Sequence, residues 1–382
     1  MDCINNTKKG YGGYAVADSH VHIAFAMPIG LTERFLDRYM TYFGLERAVL
    51  LALPHSDRAA ATDPANNLKA LYLKQKLNAL WPEKRLYAFG GLYHHFDRRD
   101  TADGLLEQLT ALRETGFDGL KVLLGKPRLR KRLGVGLDDE LLEPVWRYCE
   151  RERFPVTLHL GDPAAYWEKG GKGEMPEYGE DVPSLKLLRA EFRHVLERHP
   201  DLDVALCHFC FLADEPECAE KLMERYPRVF LDLTPGSEMY YWFSQQPDFW
   251  RDFFVRYQKR ILFGTDTDNW ASPEELGGCE HNFSYPFNLV RNALEGRAAF
   301  RFEDHDYGLL RPLSLPEEAL KNIYSQNLVR RLNEPAPIDA DAFESRCRAL
   351  LARYENGRVP DGTPERRLLE ENNLREIVRT FT

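Results

Sequence analysis

Short apolar runs alternate along the chain with longer amphipathic stretches. The short runs are rich in Val, Ile, Leu and Phe without polar alternation, which is typical of strands buried on both faces. They occupy residues 14–22, 47–53, 86–93, 119–124, 156–160, 204–208, 229–233 and 261–266. Helical patterns between them cover residues 31–43, 66–80, 102–115, 138–153, 184–198 and 214–226. This alternation of strand and helix predicts a parallel sheet.

The eight strand candidates favour a closed barrel over an open sheet. An open doubly wound sheet would need a glycine-rich phosphate turn after its first strand, and no such turn follows His22. A barrel of eight strands and eight helices takes about 250 residues plus insertions, a length that residues 14–332 provide. We therefore predict an α/β fold in which residues 14–332 form a (β/α)8 TIM barrel.

The chain beyond the barrel is expected to form a helical extension without a core of its own. Residues 333–382 contain two helical stretches, 340–356 and 363–378, that are short and polar. We expect both to pack on the outside of the barrel. Before them, Ser314 and Glu317 have the spacing of a capping box at the start of the last barrel helix. The predicted buried stripe of that helix is Leu320, Ile323, Tyr324 and Leu328.

Two connections are unusually long for this type of fold. Residues 161–183 follow the fifth strand, and residues 267–313 follow the eighth. Because both leave the carboxyl ends of strands, we expect them to cover that mouth of the barrel. The alternative is that they are surface insertions or oligomer contacts, so the sequence leaves open whether the protein forms a homo-oligomer.

Composition and charge narrow the possible partners. The chain has 382 residues, of which 43% are apolar and 12% aromatic, enough for a large core. Its net charge of −9 provides no basic field, so we do not expect nucleic acid as a partner. Residues 1–10 lack an apolar segment, and no run approaches the roughly 18 apolar residues of a membrane span. We expect a cytoplasmic protein that acts on a small-molecule substrate.

The seven cysteines are an odd number spread along the chain, which does not suggest a disulfide framework. Cys207 and Cys210 form the one close pair. A structural zinc site would need two more ligands at similar spacing. Because side chains alternate along a strand, we expect Cys207 to face the surrounding helices if His208 faces inward.

Several predicted strands end in side chains that bind metals. Alternate side chains of a strand share a face, so His20 and His22 are expected to point the same way. In a parallel barrel all carboxyl ends of the strands meet at one mouth, which brings distant residues together. The converging candidates are His20 and His22 from strand one, Lys121 from four, His159 from five, His208 from six and Asp266 from eight. Nitrogen and oxygen donors of this kind suit zinc and related ions.

This ordered set resembles the amidohydrolase superfamily, and within it the amidohydrolase-related group of metal-dependent hydrolases and decarboxylases. The resemblance covers about residues 14–332, and Asn327 resembles an asparagine of the family's final helix. The residues that carry the resemblance are Asp18-Ser-His20-Val-His22, His159, His208 and Phe263-Gly-Thr-Asp266.

The resemblance implies one divalent metal, held by His20, His22, His159 and Asp266. Zinc is the expected ion, with manganese or iron as alternatives. Such an ion lowers the pKa of a bound water to about 7. Asp266 would then accept the proton of that water.

His208 would polarise the substrate carbonyl or act as an acid. The structural alternatives are that Asp266 only caps a turn and that His208 is an ordinary core histidine.

Lys121 leaves the number of metals open. Some superfamily members carry a carboxylated lysine at this strand end, where it bridges two ions, and His208 would then bind the second ion. A buried lysine could instead pair with an acidic group of the substrate or with Asp232. We favour one ion over two.

Three functions follow from this reasoning. The first is a hydrolase that uses metal-activated water on an amide, ester or lactone bond of a small substrate, carboxylated or not. The second is a lyase on the same scaffold that removes CO2 from an aromatic or unsaturated acid without oxidation. The third is a non-catalytic barrel that binds metal or a partner, and the presence of Asp266 and His208 argues against it.

Overall fold

A computed structural model describes residues 13–23, 27–55, 64–171, 175–179, 181–236, 238–267, 280–301, 307–358 and 363–381. Eight strands form one sheet in which each strand is parallel to the next one along the chain. They are Val16–His22 (β1), Leu45–Leu51 (β2), Arg85–Gly91 (β3), Gly119–Gly125 (β4), Val156–Leu160 (β5), Val204–Leu206 (β6), Val229–Asp232 (β7) and Ile261–Leu262 (β8). All eight predicted strands are confirmed.

The sheet closes on itself through the residues that follow β8. The N–H of Ser19 donates to the carbonyl of Phe263 at 2.9 Å, and the N–H of Asp266 donates to the carbonyl of His20 at 2.9 Å. Val21 and Thr267 form a parallel bridge just beyond. These bonds join the last strand to the first, so the chain forms the predicted (β/α)8 TIM barrel.

Helices surround the barrel and continue beyond it. Several begin at a side chain that accepts a backbone N–H, as Thr101 and Ser184 do. The helices are Ile29–Phe43 (α1), Asn66–Leu80 (α2), Ala102–Thr115 (α3), Pro127–Leu133 (α4), Glu143–Arg151 (α5), Leu185–Arg198 (α6), Pro216–Arg225 (α7), Met239–Gln245 (α8), Pro247–Arg256 (α9), Glu280–Glu295 (α10), Glu317–Lys321 (α11), Asn327–Leu332 (α12), Ala340–Glu355 (α13) and Pro364–Arg379 (α14).

Apolar side chains fill the barrel interior below its carboxyl mouth. The interior cluster is Ala17, Val49, Leu51, Tyr87, Phe89, Ala205, Leu262 and Leu328. Leu328 enters from α12, which lies across the amino-terminal end of the barrel. There Arg331 donates to the carbonyl of Val156 at 2.7 Å and to Asp203 at 2.6 Å, close to the starts of β5 and β6. The barrel is therefore closed at one end, and its free space lies at the other.

The predicted apolar stripe of the final helix is buried, but the capping box is wrong. Leu320, Ile323 and Tyr324 are buried as expected. The helix begins at Glu317 without a side-chain cap. Ser314 has a left-handed backbone, with φ 48°, and its hydroxyl donates to the carbonyl of Gly296 at 2.6 Å. Because the hydroxyl of Ser314 is bound to Gly296, this serine cannot serve as the cap of the helix.

The extension consists of α13 and α14, close to the two predicted helical stretches. Asp339 and Thr363 cap these helices through their side chains. Helix α13 packs against α2 and α3, and α14 packs against α2. Lys69 of α2 and Glu370 of α14 form a buried ion pair at 2.9 Å. The extension thus lies outside the barrel, while a domain boundary near residue 332 stays a prediction.

The two long connections differ in content. Residues 161–183 include a short 3-10 helix, Ala164–Trp167. Residues 267–313 contain α10 and a small antiparallel pair, Phe300–Arg301 (β9) and Leu309–Leu310 (β10), so they are not a plain loop. Phe287 of α10 stacks on Phe43 at a ring distance of 3.8 Å, which places this helix against the barrel wall rather than over the mouth.

Residues 268–279 and 302–306 of the second connection lie outside the described part of the chain. Among the helices of the described part, none combines the length and the apolar character needed to cross a membrane.

Candidate metal centre at the carboxyl mouth of the barrel

Three ligand atoms meet at the carboxyl mouth of the barrel. Two come from the first strand, and one comes from the residues just after the last strand. Nε2 of His20 lies 3.1 Å from Nε2 of His22. Oδ1 of Asp266 lies 3.2 Å from the first nitrogen and 3.1 Å from the second. The two histidines end β1, and Asp266 follows β8, which is the neighbour of β1 in the closed barrel. Strand order therefore explains why residues so far apart in sequence come together.

Both histidine rings are oriented by their other nitrogen. Nδ1 of His22 donates to the backbone carbonyl of Leu51 at 3.1 Å. Nδ1 of His20 donates to Oδ2 of Asp232 at 2.8 Å, and the hydroxyl of Thr234 lies 3.0 Å from the same nitrogen. Metal-binding histidines usually have such a partner, which sets the tautomer and aims Nε2 at the ion.

The donor set fits a divalent metal. A tetrahedral ion with bonds of about 2.0–2.2 Å holds neighbouring ligand atoms about 3.3 Å apart, close to the spacing seen here. His20 is fully buried, whereas the Asp266 side chain is 39% exposed. One side of the cluster therefore opens to the mouth. Catalytic sites keep such an open position, while structural sites are closed by protein ligands.

The charges of the cluster also suit a cation. Partial removal from water would raise the pKa of Asp266, but hydrogen bonds and charge from His20 and His22 hold that pKa well below its usual range. Burial lowers the pKa of His22. Burial has the same effect on His20, but the side chains of Cys207 and Asp232 outweigh it and raise that pKa well above its ordinary value. A metal would therefore displace a proton from His20 on binding.

His159 and His208 stand beside the cluster without joining its ligand atoms. Among the described residues, ligand atoms lie together in two groups, His20 with His22 and Asp266, and His20 with Cys207 and Asp232, and neither group includes His159 or His208. The rings of His159 and His208 are 4.8 Å apart, and those of His20 and His208 are 5.7 Å apart. Nε2 of His159 donates to the carbonyl of Gly161 at 2.8 Å. His159 would have to give up that bond to bind a metal through Nε2.

Burial keeps these two rings neutral. It lowers the pKa of His159 to about 4 and that of His208 to about 3. Nδ1 of His208 is buried without a hydrogen-bond partner in the described structure. A neutral ring with a free nitrogen beside the cluster can donate to, or accept from, a bound molecule.

Strained backbone surrounds both candidate proton-transfer residues. Asp266 has a positive φ of 61°, and the four residues from His208 to Phe211 have φ between 49° and 56°. This conformation is uncommon for residues other than glycine. Arg189 donates to the carbonyls of Cys210 and Phe211, at 3.3 and 2.6 Å, which helps to hold the turn. Strain of this kind often marks functional positions.

The expectation for Cys207 is wrong. Nζ of Lys121 donates to Sγ of Cys207 at 3.1 Å, and both side chains are buried. Sγ also lies within 4.8 Å of ligand atoms of His20 and Asp232. Cys207 continues the inward face that starts at Ala205, and His208 reaches the mouth only because the chain then turns into the left-handed conformation.

Lys121 does not pair with Asp232, the protein carboxylate considered for it. In the described structure its amine has a thiol partner and no ion pair with Asp232, which instead orients His20. Asp18, the remaining carboxylate of the first motif, accepts bonds from Tyr39 and Thr265, each at 2.6 Å. Asp18 therefore ties β1 to its neighbours and does not join the three ligand atoms.

Asp232, one of the partners considered for Lys121, instead orients His20 and the turn after β6. Besides His20, it accepts the N–H of His208 at 2.8 Å and that of Thr234 at 3.2 Å. It is the last residue of β7, the same position that marked the other candidates. The sequence feature that could have identified Asp232 as a site residue is therefore its position as a carboxylate at the end of a strand.

Comparison with known proteins agrees with this geometry. A family model described as amidohydrolase matches residues 17–330. An uncharacterised TIM-barrel protein from Bordetella bronchiseptica superimposes with a TM-score of 0.51 and 15% identity, over 83% of this chain and 98% of the other. That likeness shows the fold. The search of curated proteins finds no match.

Two decarboxylases are also among the similar structures. A dihydroxybenzoic acid decarboxylase from Polaromonas sp. JS666, with bound manganese and 2-nitroresorcinol, has a TM-score of 0.49 and 15% identity, over 84% of this chain and 97% of its own. A 2,6-dihydroxybenzoate decarboxylase from Rhizobium has a TM-score of 0.45 and 18% identity, over 82% and 98%.

Proposed function

The chain belongs to the amidohydrolase family, and on that premise we propose that it is a metal-dependent hydrolase of an amide, ester or lactone bond in a small substrate. The observation that carries the proposal is the meeting of Nε2 of His20, Nε2 of His22 and Oδ1 of Asp266 at a point that opens to the barrel mouth. An open, nitrogen-rich donor set of this spacing serves catalysis better than structure.

We propose His20, His22 and Asp266 as metal ligands and His159 as the fourth, once its ring leaves the Gly161 carbonyl. A divalent cation, when bound, supplies a Lewis acid that polarises oxygen ligands and lowers the pKa of water. Zinc is our first choice, because the donors are imidazoles and a carboxylate at near-tetrahedral spacing, and manganese or iron would also accept them. One ion per chain is proposed, since Lys121 contacts a thiol.

The two proton-transfer roles follow from charge and position. Asp266 is ionised near neutral pH and 39% exposed, so its carboxylate can accept a proton from an attacking water at the mouth. His208 is neutral, and its free Nδ1 can donate to the carbonyl oxygen of a substrate. The carboxylate would then return its proton to the leaving group.

A decarboxylase is the second candidate, favoured by one feature of the mouth. The ring of His208 stacks on Phe211 at 5.2 Å, with 22° between the planes, and His159 stands 6.1 Å from the same phenyl ring. These aromatic rings beside the ligand atoms suit contact with an aromatic or unsaturated acid. On such a substrate Asp266 or His208 would move a proton while CO2 leaves.

Product analysis tests both functions. The metal-loaded protein is screened against amides, esters, lactones and unsaturated acids, with hydrolysis products and released CO2 measured together. Hydrolysis without gas supports the proposal, and CO2 release supports the lyase. The matched control compares His20→Ala with His194→Ala, because His194 is half exposed on α6 and pairs with Asp138. Activity that survives His20→Ala would reject the site.

A further inference from the structure

The extension and the barrel enclose a groove that the proposed reaction does not use. Its volume is about 340 Å³, within the range of pockets that take small molecules. Leu68 of α2, Leu112 of α3 and Leu350 of α13 form apolar walls. The groove thus lies between two barrel helices and the first helix of the extension.

Two amide side chains fix the floor of the groove. Asn67 accepts the N–H of Gly91 at 2.9 Å and donates to the carbonyl of the same residue at 2.8 Å. Gln108 likewise accepts the N–H of Tyr93 at 2.8 Å and donates to the carbonyl of Tyr93 at 3.1 Å. The chain that leaves β3 is therefore held in place without a ligand, which reduces the ordering that binding would require.

His95 adds a positioned imidazole to this floor. Its Nδ1 lies 2.6 Å from Oδ1 of Asp100, and its backbone N–H donates to the same carboxylate at 3.1 Å. The other oxygen of Asp100 is 3.0 Å from Nδ1 of His94. Both oxygens of Asp100 are thus occupied by histidines, and His95 lines the groove with its ring held by this carboxylate.

The facing wall carries two arginines from α13. Arg346 and Arg353 are seven residues apart, or about 10.5 Å along the helix, and both line the groove. Neither guanidinium contacts a carboxylate in the part of the chain that the structure describes. Arg348, between them in sequence, instead pairs with Glu344 at 2.6 Å. Guanidinium groups that converge on a cavity without internal partners favour binding of oxyanions.

We propose that this groove binds a small molecule with two oxyanion groups, phosphates or carboxylates, which meet Arg346 and Arg353 while its body lies among the leucines and Tyr93. Each guanidinium can donate two parallel hydrogen bonds to such a group, a geometry that a lysine could not provide. The groove shares Pro54 and Gly91 with a small cavity that Lys121 also lines.

The test measures binding by calorimetry on the full chain, with pyrophosphate, succinate and adipate as probes at constant ionic strength. We expect saturable binding of one molecule per chain. Arg346→Gln and Arg353→Gln should each weaken it by about ten-fold, because each removes a charge-assisted contact. Arg348→Gln is the matched control on the same helix and should leave binding unchanged. Tighter binding of pyrophosphate assigns phosphates to the ligand, and tighter binding of a diacid assigns carboxylates.

Two results would overturn the proposal. One is the absence of saturable binding for all three probes. The other is an equal loss in Arg348→Gln, which would show general attraction to surface charge.

Thermal melting checks that each variant is folded. His95→Gln is a second variant, which we expect to weaken binding without altering α13. None of these measurements requires turnover, so their outcome is separate from that of the proposed hydrolase function.

Discussion

Nδ1 of His20 donates to Oδ2 of Asp232 at 2.8 Å, in a contact between two side chains that are both fully buried. The same carboxylate accepts the N–H of His208. One residue at the end of β7 therefore orients a proposed metal ligand on β1 and anchors the strained turn that carries a proposed proton-transfer residue.

The first prediction concerns this contact. Asp232→Asn should weaken metal binding by about 10- to 100-fold, because the amide cannot hold the His20 ring in the same charged hydrogen bond. Competition with a chromogenic chelator measures the affinity. Asp138→Asn is the control, since Asp138 pairs with His194 on the surface. Equal affinities in the two variants would contradict the positioning role.

The second prediction concerns the number of metals. Lys121→Met should leave the stoichiometry at one ion per chain, because the amine contacts Cys207 and not the ligand atoms. Asp266→Ala should lower metal content sharply, since it removes one of the three converging donors. Elemental analysis of both purified variants measures this. A fall from two ions to fewer in Lys121→Met would restore the carboxylated-lysine hypothesis.

The third prediction concerns stability in acid. Burial lowers the pKa of His55 to about 3, below its ordinary value of 6.5. The unfolded chain therefore binds a proton below pH 6.5 while the folded chain does not, so this histidine destabilises the fold progressively as the pH falls from 6.5 to about 3. His55→Gln should reduce the loss of unfolding free energy between pH 7 and pH 4 by on the order of 3 kcal/mol.

Urea unfolding at several pH values measures the effect. His194→Gln is the matched control, because His194 is half exposed and its removal should leave the pH profile nearly unchanged. A parallel decline of all three proteins would show that His55 titrates in the folded state as it does in water.

The fourth prediction concerns the docking of the extension. Glu370→Gln removes the opposite charge from the buried Lys69 ammonium, and both side chains are almost fully buried. We expect the unfolding free energy to fall by about 3 kcal/mol. Glu371→Gln, the next residue on α14, breaks a surface pair with Arg375 and should cost less than about 1 kcal/mol. Similar losses in the two variants would show that the buried pair has no special role.

Much of the fold could be predicted because buried positions must be apolar, and this requirement is visible in short segments of the sequence. A strand buried on both faces must be apolar throughout, so eight such runs between helices were enough to indicate a barrel. The same argument located donors at strand ends, including His22 and Asp266. The sequence did not indicate α10 within residues 267–313, because this helix contains Pro286, a residue that usually interrupts helices.

The errors within the site have a different origin. Alternation along β6 suggested that Cys207 and His208 face opposite ways. Cys207 keeps the inward face of Ala205, and the left-handed turn from His208 onwards brings His208 to the interior as well. Ser314 has the residue type of a helix cap, yet Gly296 takes its hydroxyl. In each case the side chain has a local preference, for one face of a strand or for a helix cap, and contacts with distant parts of the chain override it.

The order of strands, helices and donor residues was thus determined by the sequence itself, since hydrophobic periodicity and residue type are local properties. The tertiary structure alone decided which atoms meet: the pairing of His20 with Asp232, 212 residues away, and that of Lys121 with Cys207. The reason is geometric, because closure of the barrel sets β7 and β8 beside β1, and ring orientation depends on partners that no short segment contains.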